Sequence, residues 1–362
     1  MPAPDADNHA SNRFTAYEDR SSSGLQTDGT GPHSLPAMTD PSRVVVTGAA
    51  GFIGSHLCDR LLTLGHKVVG IDSFTDYYDR ARKEQNLADS KAHPNFAFEE
   101  VDLVEADLSR VLRRANAVYH LAGQDGVRPS SGAQFDRYVR DNVIATQRLL
   151  ESLKESAIDR FIFAGSSSVY GDAEMFPTKE SALPRPVSPD GVTKLAAEHL
   201  TLLYAKNFSL PAVSVRYFTV FGPRQRPDMA FARFMQALVD REAIEVFGDG
   251  EQTREFTYVS DAVEGTIKAA TAPVVGQVFN LGGGSRVSIN GVLATLEEIS
   301  GIQVRKQMLP AVPGEPRHTG ASINLARERL GWEPRISLRQ GLTNQWQWFQ
   351  TIRNAGTAAA NP

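Results

Sequence analysis

The chain has 362 residues, 41% hydrophobic and 22% charged, enough for a sizeable core and about two domains. Its 38 Lys and Arg against 42 Asp and Glu give a net charge of -4, which leaves no basic excess for binding nucleic acid. No apolar run nears the roughly 18 residues of a membrane span, and the N-terminus has neither the basic start and apolar stretch of a secretory signal nor the composition of a mitochondrial import sequence.

Residues 1–42 are rich in Ser, Gly, Pro, Asp and Asn and lack apolar periodicity, so they read as a disordered extension. The extension is either dispensable or a docking segment. Ordered sequence starts at Arg43. RVVVTG (43–48), KVVGID (67–72), FAFEEVD (96–102), AVYHLAG (117–123), RFIFAGSS (160–167) and AVSVRYF (212–218) read as strands. Helical stretches fall between them at 52–64, near 79–90, at 105–114, near 133–156 and near 190–207. This alternation predicts an α/β fold: a doubly wound parallel sheet of the Rossmann type over 43–218, covered on both faces. From 219 loops lengthen and Pro and Gly punctuate. Helices are expected near 229–241, 260–271, 289–300, 324–330 and 338–353, in a smaller C-terminal α/β substrate-binding region over 219–353. Residues 354–362 read as a flexible tail. The one cysteine, Cys58, rules out an internal disulfide and suits a cytoplasmic location.

The first strand runs into Gly48-Ala-Ala-Gly51-Phe52-Ile53-Gly54, which opens a helix. Glycines there allow a tight turn, and the helix N-terminus offers free N–H groups to a pyrophosphate. Asp72 ends the second strand, 18 residues after Gly54. A carboxylate at that place binds both ribose hydroxyls and repels a 2′-phosphate, so the site predicts NAD rather than NADP. The plainer alternative is a glycine turn beside a surface Asp.

The glycine spacing resembles the extended short-chain dehydrogenase/reductase family. So do Asp102-Leu103, His120-Leu121-Ala-Gly-Gln124 and Asn142, and the likeness extends over roughly 43–353. The resemblance implies NAD held by Gly48, Gly51, Phe52, Ile53, Gly54, Asp72, Asp102, Leu103, Leu121 and Lys194. It further implies a nucleotide-sugar substrate that is oxidised and then given its hydride back. A homodimer through the helices near 133–156 and 190–207 is part of the same expectation.

Chemistry in that family uses a Ser or Thr, a Tyr and a Lys four residues after the Tyr. Ser166 and Lys194 match two of these positions, but the Tyr position is Asp190. Three readings of Asp190 stand open. It is a helix-start residue behind Ser188 and Pro189, able to form an i,i+4 ion pair with Lys194, in a protein that binds without turning over. It is a replacement base, alone or through a water. Or it is a one-base variant of a Tyr codon. Tyr170 reads as a packing residue, His120 as a packed strand end, and Trp346, Trp348 and Phe349 as a packing face.

Ser167 and Ser168 stand where 4,6-dehydratases and decarboxylases of the family carry acids, which lowers those alternatives. Tyr217 to Ala230 resembles the UDP-glucuronate 4-epimerases, with Thr219 and Arg226 matching. A hydroxyl and a guanidinium together can hold a C6 carboxylate. Arg254, in FGDGEQTREF (247–256), and Arg317, in Gly314-Glu315-Pro316-Arg317, match the family's two diphosphate arginines. The expected reaction is C4 epimerisation of a UDP-hexuronate through a 4-keto sugar.

Overall fold

Apolar runs bounded by glycine turns become strands of one parallel sheet. The computed structural model describes residues 42–311 and 316–360; the predicted extension up to residue 41, Gly314-Glu315 and residues 361–362 lie outside them. The chain runs β1 (Arg43–Thr47), α1 (Phe52–Thr63), β2 (Lys67–Asp72), α2 (Arg80–Asn86), α3 (Ala88–Lys91), β3 (Phe96–Glu100), α4 (Leu108–Val111) and β4 (Ala117–His120). It continues through α5 (Phe135–Tyr138), a π-helical stretch (Val139–Ile144), α6 (Ala145–Leu153), β5 (Arg160–Ser166), α7 (Pro189–Phe208) and β6 (Ala212–Tyr217).

The C-terminal part contains β7 (Val220–Phe221), α8 (Ala230–Asp240), β8 (Ile244–Phe247), β9 (Thr253–Glu255), β10 (Thr257–Tyr258) and α9 (Val259–Thr271). Then come β11 (Val278–Leu281), β12 (Arg286–Ser288), α10 (Ile289–Ser300), β13 (Lys306–Leu309), α11 (Asn324–Leu330) and α12 (Leu338–Ala360).

The main sheet has seven strands in the order β11-β6-β5-β4-β1-β2-β3, each parallel to its neighbour. Val44, Val118, Phe161 and Val213 in its central strands are fully buried, because helices cover both faces. Leu57 and Leu61 of α1 and Val263 and Ile267 of α9 pack on one face. Leu149 of α6 and Ala197 and Tyr204 of α7 pack on the other. A separate core of Phe221, Phe231, Met235, Leu293 and Leu342 holds the C-terminal part, and Trp346 and Phe349 belong to it as packing residues.

Several predicted boundaries shift for local reasons. The helix expected at 105–114 shrinks to α4, because Asp107 caps its start through the Ser109 N–H and Arg114 turns left-handed at φ 61°. The helix near 79–90 splits at Leu87, a buried residue between α2 and α3. The long helix near 133–156 contains the π-helical stretch, and α12 continues past 353 to Ala360. The short pairs β7–β10, β8–β13 and β9–β12 are too brief to show in sequence, and β11 returns to the main sheet from the C-terminal part. No helix among the described residues is long and apolar enough to cross a membrane.

Candidate active site

Strand order reverses between β1 and β4, and in such sheets ligands bind beyond the carboxyl ends at that point. A cavity of about 490 Å³ opens there. The turn from β1 to α1 forms its floor. Gly48 sits at φ +70°, and a Cβ on Gly54 would collide with the Gly48 carbonyl oxygen. No side chain caps the start of α1 at Gly51, which leaves its first N–H groups for a ligand. Phe52, Ile53 and Leu121 complete this floor.

Asp72 receives the N–H of Ala50 at 3.0 Å and of Phe74 at 2.9 Å. Burial pushes its carboxyl upward, against those hydrogen bonds and the charge of Lys83. Asp102 and Leu103 line the far end; Asp102 accepts the Val104 N–H at 2.8 Å and pairs with Arg140 at 2.8 Å. A glycine cradle, an uncapped helix start and a carboxylate on the second strand fit an adenine dinucleotide. His120 stands below, between Thr47 (2.7 Å) and Thr146 (2.9 Å); burial drives its pKa down to about 3, so the ring is neutral.

The polar centre is built by β5 and α7. Ser166 ends β5, and its hydroxyl accepts the Ser168 N–H at 3.1 Å. Ser188 caps α7 through the Gly191 N–H at 3.1 Å, with Pro189 next, the helix start that the residue types imply. Asp190 lies in the first turn, 5% exposed and facing the cavity. Its Oδ1 and the Ser168 hydroxyl are buried without hydrogen-bond partners among the described residues. Burial raises the Asp190 pKa to about 6 against the pull of Lys194, with Asp125 adding to the rise.

The i,i+4 ion pair open to Asp190 and Lys194 does not form. Lys194 reaches across to the loop after β4 and pairs with Asp125 at 2.8 Å. Gly123 makes this path open: a Cβ there would stand 3.0 Å from the Lys194 ammonium and 2.8 Å from Asn142 Oδ1. Asn142, on the π-helical stretch, accepts the Gln124 N–H at 2.7 Å and donates to Gln124 O and Thr193 Oγ1, both at 2.9 Å, fixing that loop against α7. Burial opposes the ammonium of Lys194, but Asp125 and Asp190 outweigh it and hold its pKa above the usual range.

Ser167, Thr219, Arg226 and Arg254 also line the cavity. Arg226 is 18% exposed and makes contact with two carboxylates: Asp228 through Nε (3.0 Å) and Nη2 (3.1 Å), and Asp125 through Nη1 (3.2 Å). Arg254 donates to the carbonyls of Thr253 (3.0 Å) and Arg317 (3.1 Å). Arg317 itself is not brought to the cavity wall. It is exposed and pairs with Asp249 at 2.7 Å, while its neighbours Pro316 and Thr319 line the cavity. The residue that the sequence reading missed is Asp125, an acid just past the carboxyl end of β4.

The family described as "NAD dependent epimerase/dehydratase family" matches residues 44–282. A crystal structure of the UDP-glucuronic acid 4-epimerase from Bacillus cereus, in complex with UDP-glucuronic acid and NAD, is 44% identical with a TM-score of 0.84; the match covers 86% of this chain and 99% of that one. A UDP-glucuronate 4-epimerase of Thermodesulfobacterium geofontis is 36% identical over 84% of this chain and 95% of its own. The Bacillus subtilis protein named "Uncharacterized UDP-glucose epimerase YtcB" is 41% identical over 86% of this chain and 98% of its own.

Proposed function

The chain belongs to the NAD-dependent epimerase/dehydratase family, and we propose from that premise that it is a UDP-glucuronate 4-epimerase. Its fold and cofactor are those of the family: a Rossmann-type α/β chain that uses NAD. One observation carries the substrate reading. The glycine cradle, Asp190 with Lys194, and the guanidinium of Arg226 all line one cavity.

Bound NAD supplies the acceptor and later the donor of the C4 hydride. The rest of the chemistry falls to this chain. Asp190 takes the O4 proton during oxidation and returns it after the 4-keto sugar has turned over. Its carboxyl lines the cavity and is the group available for that proton. Lys194, on the cavity wall, would hold the nicotinamide ribose. The hydroxyls of Ser166, Ser167 and Ser168 bond either epimer, since each rotates to donate or accept. Arg254 anchors the diphosphate, with Arg317 as its expected second partner. Thr219 and Arg226 receive the C6 carboxylate by charge-assisted hydrogen bonds.

A purified sample given NAD and UDP-glucuronate is expected to form UDP-galacturonate, read by proton NMR. Binding of both ligands without product would overturn the proposal. The pH profile follows from the Asp190 pKa of about 6. A carboxylate base works only when ionised, so kcat is lost as pH falls through about 6 and levels above 7. Asp190→Asn removes that limb along with most of the rate. A wild-type profile flat between pH 5 and 7 would take the proton-transfer role away from Asp190.

The proposal includes a cytoplasmic homodimer. Its support is an apolar strip on the covering helices: Val192 and Leu203 of α7 are 48% and 45% exposed, and Ile144, next to α6, is 42% exposed. Sedimentation velocity is expected to show a dimer, and Leu203→Lys a monomer. A monomeric wild type at micromolar concentration rules that interface out.

A further inference from the structure

Asp125 lies between the two cations that matter most in the cavity. Its Oδ1 is 2.8 Å from Lys194 and its Oδ2 is 3.2 Å from Arg226. Burial opposes its charge, yet the two cations outweigh burial and hold its carboxyl below the usual carboxylate range, so it is an anion at neutral pH. Asp228 already takes the Nε and Nη2 side of the Arg226 fork. The remaining side is the one with Nη1, and Asp125 is bonded there.

Above pH 7, with Asp190 ionised, this cluster already holds more carboxylates than cations: Arg226 and Lys194 against Asp125, Asp228 and Asp190. A C6 carboxylate entering beside Arg226 adds an uncompensated negative charge unless Asp125 lets go. Like charges in a partly desolvated site repel strongly. A C6 hydroxyl meets no such opposition. Asp125 has room to let go, because its side chain is 47% exposed along the cavity. Its release then leaves the Arg226 edge to the substrate, at the cost of the broken contact.

We propose that Asp125 is a specificity-determining residue, a built-in carboxylate that competes with the substrate's C6 carboxylate for Arg226 and weakens the preference for a UDP-hexuronate over the corresponding UDP-hexose. This rests on the reading of Arg226 as the carboxylate-binding residue. The unmodified protein is expected to prefer UDP-glucuronate over UDP-glucose by a smaller ratio than its Asp125 variants do. Removing the acid shifts the balance towards the uronate.

Calorimetric Kd values for UDP-glucuronate and UDP-glucose, on NAD-loaded protein at pH 7.5, test this directly. Asp125→Asn and Asp125→Ala are each expected to tighten UDP-glucuronate at least about tenfold and to leave UDP-glucose within about threefold. A merely structural role moves both ligands together, so an unchanged ratio in both variants overturns the inference. Asn keeps the size of the side chain and guards against a misfolded Ala variant. Arg226→Ala separates the two levels of the argument. If it leaves the ratio unchanged, Arg226 does not hold the carboxylate and the substrate reading falls. If it lowers the ratio while the Asp125 variants do not raise it, only the role of Asp125 falls.

Discussion

Asp190→Tyr is expected to raise kcat for C4 epimerisation by about 10²–10⁴-fold, the usual contribution of a well-placed general base. Asp190 sits in the first turn of α7 and faces the cavity, with one carboxylate oxygen unpartnered. Its short side chain keeps that oxygen near the wall. A phenol on the same Cα reaches several ångströms further, into the space where the sugar O4 must lie. The obstacle is acidity, because a phenol begins near pKa 10. Lys194, one helical turn on, is the cation that would lower it, but Asp125 cancels much of its field from 2.8 Å. Asp125→Ala combined with Asp190→Tyr is therefore expected to exceed the product of the two single effects. Steady-state rates followed by NMR across pH 5 to 9 check both statements. An Asp190→Tyr variant that folds, binds NAD and UDP-glucuronate and gains no rate would show that reach is not what limits the natural enzyme.

The cofactor half of this site was legible because it is written in local backbone chemistry. Gly48, Gly51 and Gly54 act within one turn, and Asp72 ends a strand adjacent to that turn. Such features need neighbours in sequence only. The catalytic half depends on longer reach. An i,i+4 rule pairs Asp190 with Lys194, but the rule describes an isolated helix and ignores the rest of the fold. Here the loop after β4 offers Lys194 a better placed partner, and Gly123 clears the way to it. The significance of Asp125 emerges only once β4 and α7 are side by side. Its one sequence signal was an acid placed just beyond a strand end at the switch point, where ligands bind. Arg317 shows the same limit from the other side: the motif is present, yet its side chain pairs with Asp249 away from the cavity wall. Strands of two to four residues, such as β7, β10 and β13, carry too little periodicity to announce themselves.

Glu198→Ala is expected to cost about 3–5 kcal/mol of stability, the range for removing one partner of a buried ion pair. Glu198 lies one turn beyond Lys194 on α7, and its side chain is 1% exposed; that of Arg216 on β6 is 5% exposed. The guanidinium meets the carboxylate as a fork, Nε to Oε2 at 2.9 Å and Nη2 to Oε1 at 2.6 Å. Ser214 adds a contact to Oε2 at 3.2 Å. Arg216 also donates to the Tyr170 hydroxyl at 2.6 Å, which in turn donates to Asn280 Oδ1 at 2.7 Å, so the network links α7, β6 and β11. Without Glu198 the guanidinium stays buried with no carboxylate bonded to it and only that of Glu180 nearby, and that desolvation is the main cost. Glu198→Met with Arg216→Met removes both charges and is expected to recover most of the loss, because apolar side chains of similar size can replace a buried pair. Urea unfolding of the three proteins decides it. A single variant that loses less than about 1 kcal/mol would mean that water reaches Arg216 after the truncation. The same network anchors the helix that presents Asp190 and Lys194. A Glu198→Gln variant, which keeps the shape of the fork and loses its charge, is accordingly expected to hold the active-site geometry while unfolding at lower urea than the natural chain.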